Sequence, residues 1–326
     1  MKTNKDVHNN CGRCILLNAG WLVGLFLILP TVNGGDDSLV IEKEKNNIAQ
    51  MNRQEYAIPF SGVPFVDTDK LQLFMEKLDE ETYVPPIDAY IERSGRIVPA
   101  QMGSRLHRKV LAEQFYAYFY EKGSSNIELP MLSVPPRVDE NLLSQINVKT
   151  IGQYVTYFNN RNNNRSHNIS LAAEAINNYV VFPGETFSFN KVVGKRTKHR
   201  GYMRAPVIVR GEMSEDIGGG ICQVSSTLFN AVDRAGLKIG ERYSHSKRVP
   251  YVPKGRDATV SWYGPDFTFI NYYDFPILIR ANVYGGQMVV VIRSSDEINF
   301  EPRTIPKASK MLPQEMTVQG EQENGW

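Results

Sequence analysis

The chain has 326 residues, room for two domains at about 150 residues each. Hydrophobic residues make up 42% and charged residues 22%, ordinary globular usage that excludes wholesale disorder. Lys+Arg 37 against Asp+Glu 35 leaves a net charge of +2, too balanced for a protein defined by nucleic-acid binding, and three cysteines are too few for a disulfide scaffold.

The chain opens with a basic start and an apolar run from Ile15 to Val32, followed by Asn33-Gly34-Gly35. This is the layout of a secretory signal over residues 1–34, cleaved near Gly34 or kept as a membrane anchor. Everything after it is expected outside the cytoplasmic membrane. Residues 1–34 carry Lys2, Lys5 and Arg13 against Asp6, so the remainder is neutral. Cys11 and Cys14 lie inside the signal, so their C-x-x-C spacing is not read as a redox or zinc motif, and the exported part keeps one thiol, Cys222.

Residues 35–65 are mostly polar and read as a spacer. Asp67 caps an expected helix reaching Glu80, with Leu71, Phe74, Met75 and Leu78 at helical spacing. Residues 81–136 show a β-β-α-β pattern: strands at Asp88–Glu92 and Arg96–Val98, a helix from His107 to Glu121, and a strand at Asn126–Leu129. The small domain is placed at residues 66–137. Residues 138–298 read as one α/β (α+β) domain, a mixed or antiparallel sheet packed on a central cysteine-bearing helix. Its expected elements include a strand at Gln153–Phe158, a helix at Ile169–Asn177, a helix from Cys222 to Ala235, and strands at Glu241–Ser246, Ala258–Trp262, Phe267–Asn271, Ile277–Val283 and Gln287–Arg293. Residues 299–326 read as a polar tail.

The chemistry-bearing run is Gly218-Gly-Gly-Ile-Cys-Gln-Val-Ser-Ser-Thr-Leu228. Cys222 stands in the first turn of a helix, where unpaired N–H groups and the helix dipole favour the thiolate. Gly219 and Gly220 allow close approach of a substrate, and Gln223 is a donor for a developing oxyanion. Ser225 and Arg256 are assigned with them to substrate binding. A thiol nucleophile wants a histidine, and the histidine an orienting group. His245 and Asp257 follow in that order, as in papain-like and transglutaminase-like cores, which the arrangement resembles. His167, at the start of another helix, is the alternative base. A small buried cysteine and a structural histidine are the competing readings. Asn168-Ile-Ser170 matches a glycosylation acceptor by pattern. No pair of His, Cys, Asp or Glu has metal-ligand spacing, and no cofactor is expected.

At these residues the chain resembles the VanW family of bacterial cell-envelope proteins. The matching runs include Arg165–Ala173, Pro183–Asn190, Gly218–Leu228, Tyr251-Val-Pro253 and Gly255–Val260. Residues 85–136 resemble a small peptidoglycan-binding domain that often precedes the family core, departing from its pattern at Gly103-Ser-Arg-Leu106 and His107. Some multi-domain relatives are reported to act as L,D-transpeptidases through the cysteine of a Gly-Gly-x-Cys-Gln motif, which corresponds to Cys222. The resemblance implies a cell-wall protein whose partners are peptidoglycan stem peptides or glycan. A non-catalytic wall-binding protein and a cysteine peptidase remain the other readings.

Overall fold

The computed structural model describes residues 37–311 except 61, 122, 210 and 211. The expected signal or anchor at residues 1–34 lies outside the described residues. Among the described residues, no helix is long and apolar enough to cross a membrane.

In chain order the first elements are β1 (Ser38–Lys43), β2 (Asn46–Asn52), β3 (Ala57–Ile58), β4 (Phe65–Val66), α1 (Thr68–Thr82), β5 (Tyr90–Ile91), β6 (Ile97–Val98), β7 (Gly103–Leu106) and α2 (Arg108–Tyr120). Then come β8 (Ser125–Glu128), β9 (Met131–Val134), α3 (Glu140–Ile146), β10 (Lys149–Tyr157), α4 (Asn163–Ile176), β11 (Tyr179–Val181), β12 (Thr186–Ser188) and α5 (Phe189–Val193). The last are β13 (Arg204–Val209), β14 (Glu212–Ile217), α6 (Ile221–Arg234), β15 (Lys238–Ile239), β16 (Thr268–Ile270), β17 (Ile277–Tyr284) and β18 (Gln287–Ser294). The described chain forms two compact units, one of residues up to Gln72 with Lys109–Leu129, the other of Leu73–Arg108 with the rest from Pro130 onward.

The first unit corrects the expected spacer. Residues 38–52 are an antiparallel hairpin, and β1 also pairs in parallel with β8. Leu39, Ile41 and Met51 are buried. Alternation of so few apolar residues with polar ones is enough for a strand with one wet face. The same pairing takes β8 and most of α2 out of the expected β-β-α-β unit. In the second unit β5 pairs with β6 and β7 with β9.

The second unit centres on a four-stranded antiparallel sheet, order β10-β18-β17-β11. β18 alternates strictly, burying Met288, Val290 and Ile292 on one face. Helices α4 and α6 pack on that face. The opposite face of β11 and β17, carrying Val180 and Leu278, packs with Leu143 and Ile146 of α3 and with Ile91 of β5.

Two glycines set α6. A Cβ on Gly152 of β10 would stand 2.2 Å from Ala231 O, so the bare backbone there lets the helix sit against the strand. Gly236, at φ +79°, ends the helix in a conformation side chains resist. α4 begins six residues before the expected Ile169, because Asn162 caps it by accepting from the Arg165 N–H at 3.1 Å. The polar tail also packs in part: Ile305 is buried, and Arg303 Nη1 bonds Asp233 Oδ1 at 2.7 Å.

Candidate active site

Cys222 lies in the first turn of α6, whose N-cap Gly220 has φ +106° and offers no side-chain cap. The helix start therefore keeps donor groups and the positive end of its dipole near the thiol. Nearly every other residue of α6 is buried, and Cys222 is partly exposed. Asn168 of α4 pins the glycine turn: its Nδ2 donates to the carbonyls of Met203 and Gly219 at 2.9 and 3.0 Å. The buried Asn168 amide is thus committed inside the fold, and the pattern match at Asn168-Ile-Ser170 marks no glycosylation acceptor.

The polar residues of α6 hold the segment 256–260 over the helix. Ser226 Oγ accepts from the Ala258 N–H at 2.9 Å, and Ser225 Oγ donates to the Ala258 carbonyl. Asn230 Nδ2 donates to the Arg256 carbonyl at 2.8 Å, and Arg256 Nε donates back to Asn230 Oδ1 at 2.7 Å. Docked in this way, Thr259 Oγ1 and the Val260 carbonyl stand 3.7 and 3.6 Å from Cys222 Sγ.

The expected strands at 241–246 and 258–262 reduce to one antiparallel bridge, Tyr243 with Thr259. The segments are too polar and loop-bound to sustain a ladder, yet that register continued by two residues puts 245 opposite 257. Asp257 Oδ2 accepts from the backbone N–H of His245 at 2.6 Å and from its Nδ1 at 2.8 Å. An ionised carboxylate only accepts, so Nδ1 carries the proton and Nε2 is left for the thiol. Thiol and imidazole act on each other's ionisation.

The charges reinforce one another. Burial pushes the Cys222 thiol up, but the hydrogen bond and charge of His245, with Val260 and Thr259, outweigh it and hold the thiol below its ordinary value. Burial pushes His245 down, but Cys222 and Asp257 together raise it. Burial likewise opposes the charge on Asp257, and the bonds from His245 overcome it, lowering that carboxyl. A thiolate–imidazolium pair oriented by a carboxylate can attack a carbonyl carbon.

The other residues assigned from sequence are placed differently. The Gln223 amide is sealed: Oε1 accepts from Arg165 Nη2 at 2.6 Å, and Nε2 donates to Thr156 Oγ1 and the Tyr157 carbonyl, each at 3.0 Å. It holds α6 to β10 and to α4 and has no hand free for an oxyanion. Ser225 is buried and Arg256 is spent on Asn230 and Asp233, its guanidinium over the Phe229 ring. These three are corrected from substrate contacts to supports of the loop and helix. Gly219 is close-packed, a Cβ there standing 2.4 Å from Ala205 O. His167 Nε2 pairs with the Gly201 carbonyl at 2.9 Å, a bond that fixes the 197–201 turn.

Sequence reasoning missed Arg196, whose charge interacts with Cys222, and the buried Tyr251, whose hydroxyl is pushed up by burial and then by the Cys222 charge; both come from segments distant in the chain. It also missed the exposed rings of Tyr243, which bridges Thr259, and of Trp262 and Tyr263, which follow Val260 in the chain. A groove of about 540 Å³ along β10 is lined by Tyr154, Arg234, Lys307 and others, and none of Cys222, His245 and Asp257 borders it. Among the described residues, no cluster of His, Cys, Asp and Glu is built to hold a metal ion.

A family model described as VanW like protein matches residues 164–293, the stretch that contains Cys222, His245 and Asp257. The chain is 54% identical over 298 residues to the uncharacterized protein YoaR of Bacillus subtilis (strain 168), a match covering 91% of this chain and 98% of that relative. It is 35% identical over 103 residues to the vancomycin B-type resistance protein VanW of Enterococcus faecalis (strain ATCC 700802 / V583), covering 30% of this chain and 38% of that protein. No solved structure matches the chain.

Proposed function

This chain belongs to the VanW family, and from that membership we propose that it is an extracytoplasmic cell-wall protein acting as a cysteine L,D-transpeptidase on peptidoglycan stem peptides. The observation that carries this reading is the double grip of Asp257 on His245, a base whose charge favours the Cys222 thiolate. The same order of groups serves acyl transfer in papain-like and transglutaminase-like enzymes.

The Cys222 thiolate attacks a stem-peptide carbonyl carbon and a C–S bond forms. The C–N bond breaks as the imidazolium of His245 gives its proton to the leaving amine. An acceptor amine then attacks the thioester and gives its proton back to His245. The C–S bond breaks and the thiolate–imidazolium pair returns. The bond energy stays in the thioester, so no nucleotide is consumed. With water in place of the amine, the same steps give a cysteine peptidase.

A non-catalytic, wall-binding reading is favoured by the exposed rings of Tyr243, Trp262 and Tyr263, since flat apolar faces suit sugar rings. The deciding experiment incubates the full chain with a stem tetrapeptide and looks for a thioester on Cys222 by mass spectrometry. An adduct on the wild type and none on Cys222→Ser supports acyl transfer. No adduct, with equal binding of purified wall by both proteins, supports binding alone.

A further inference from the structure

Arg196 stands outside the triad, yet the fold ties it to the two segments that meet at the cysteine. Its stem packs under the glycine turn: a Cβ on Gly218 would lie 3.2 Å from both Cβ and Cγ of Arg196. Its Nη1 donates to Asn190 Oδ1 at 2.7 Å. Asn190 Nδ2 donates onward to the carbonyls of Ser261 and Pro265 at 2.9 and 3.1 Å. The guanidinium is thus fixed between the turn that starts α6 and the residue following Val260, whose carbonyl touches Cys222 Sγ.

One arm of that guanidinium is unused. Arg196 Nη2 is buried and makes no hydrogen bond. A buried N–H without a partner is costly, and a native structure that keeps one invites a ligand as its explanation. The nearby carboxylate of Asp266 is committed to Ser188 Oγ and to the N–H groups of Asn190 and Phe267. The residue as a whole is partly exposed, although that arm is closed to solvent. A planar guanidinium with an unpaired arm is suited to a carboxylate.

We propose that Arg196 is the carboxylate-binding residue of the Cys222 site, and that the donor it selects is a peptide with a free α-carboxylate on the residue directly beyond the attacked bond. The choice of donor rests on the acyl-transfer reading; the carboxylate site itself does not. In such a donor the leaving residue carries its charge within one residue's length of the scissile carbonyl. A longer or amidated peptide leaves the cation unpaired and is rejected.

The test alkylates Cys222 of the full chain with iodoacetate and with iodoacetamide, read at that residue by peptide mass spectrometry. Each probe forms the C–S bond as iodide leaves, and the two differ only in carboxylate against amide. The iodoacetate-to-iodoacetamide rate ratio is expected to fall at least about tenfold in Arg196→Gln, the worth of a charge-assisted hydrogen bond, and to be largely kept in Arg196→Lys. The imidazolium acts equally in all three proteins. An unchanged ratio in Arg196→Gln overturns the proposal. On the wild type alone, N-acetylalanine should protect Cys222 from iodoacetamide where N-acetylalaninamide does not; equal protection by both also overturns it. Stem tetrapeptides in acid and amide forms separate the two readings. Thioester from both at equal rates sinks the carboxylate site and leaves acyl transfer standing. Thioester from neither, with the alkylation ratio still dependent on Arg196, sinks acyl transfer and the donor assignment and retains the site.

Discussion

One oxygen of Asp257 fixes both the main chain and the ring of His245, accepting from its N–H at 2.6 Å and from Nδ1 at 2.8 Å. The ring therefore cannot turn without disturbing the loop, and the loop cannot drift without releasing the ring. Asp257 is held in its own right, because its neighbours Arg256 and Ala258 are bonded to Asn230 and Ser226 of α6. The helix that presents the thiol also sets the carboxylate that sets the base.

Asp257→Asn breaks this chain at its middle. The backbone N–H of His245 keeps the amide oxygen turned to this position, so the ring stays oriented but loses the negative charge that favours its protonated form. Alkylation of Cys222 by iodoacetamide at neutral pH is expected to slow by about 10²–10⁴-fold. A rate equal to that of the wild type would remove Asp257 from the site.

The pH dependence follows from the directions of the shifts. Cys222 is held below the ordinary thiol value of 9.0, so its alkylation should persist below that pH and fall as pH drops through the lowered value. His245 is raised above its ordinary 6.5, so its contribution to stability is complete below 6.5 and is lost as pH rises through the folded value. Asp257 is lowered, so its contribution is present above 3.8 and is lost as pH falls through the folded value. Cys222→Ser removes the thiolate that helps raise His245. Melting temperature followed against pH should then begin its alkaline decline at a lower pH than in the wild type. Coincident curves for the two proteins would refute the ion pair.

The helix start at Cys222 was legible because glycines and an apolar periodicity both bear on it, and the order Cys222, His245, Asp257 was legible although the expected strands at 241–246 and 258–262 reduce to one bridge. What stayed hidden were facing directions and distant pairs. Gln223 and Ser225 look like site residues because they neighbour the thiol in sequence, but a helix turns about 100° per residue and carries both inward. Arg196 meets the glycine turn only through the fold, across segments with no local pattern to link them. β1 and β2 were hidden because their inner face is supplied by only a few apolar residues, Leu39, Ile41 and Met51 among them.

Ser226→Ala tests whether α6 sets the Asp257 loop. The change takes the acceptor at 2.9 Å from the Ala258 N–H, which is buried. An orphaned buried donor costs about 1–3 kcal/mol, seen as a lower midpoint in urea. Because Asp257 is the preceding residue, the rate of Cys222 alkylation should fall as well. Lost stability with an unchanged rate would mean that His245 and Asp257 keep their geometry without the helix.

Gly152→Ala tests the seating of α6 on β10. The added Cβ would stand 2.2 Å from Ala231 O and 2.9 Å from the Ala235 Cβ, and both neighbours belong to the buried C-terminal half of the helix and its cap. Strand or helix must move, since neither contact is with the end of a flexible side chain. Overpacking of this kind costs about 1–3 kcal/mol. The Gln223 amide joins the first turn of α6 to Thr156 and Tyr157 of the same strand. A shift at Gly152 is therefore resisted at the end that carries Cys222, and the expected outcome is a lower melting temperature with Cys222 alkylation slowed by less than in Ser226→Ala. A melting temperature equal to that of the wild type would mean that the helix does not rest on β10 at this distance.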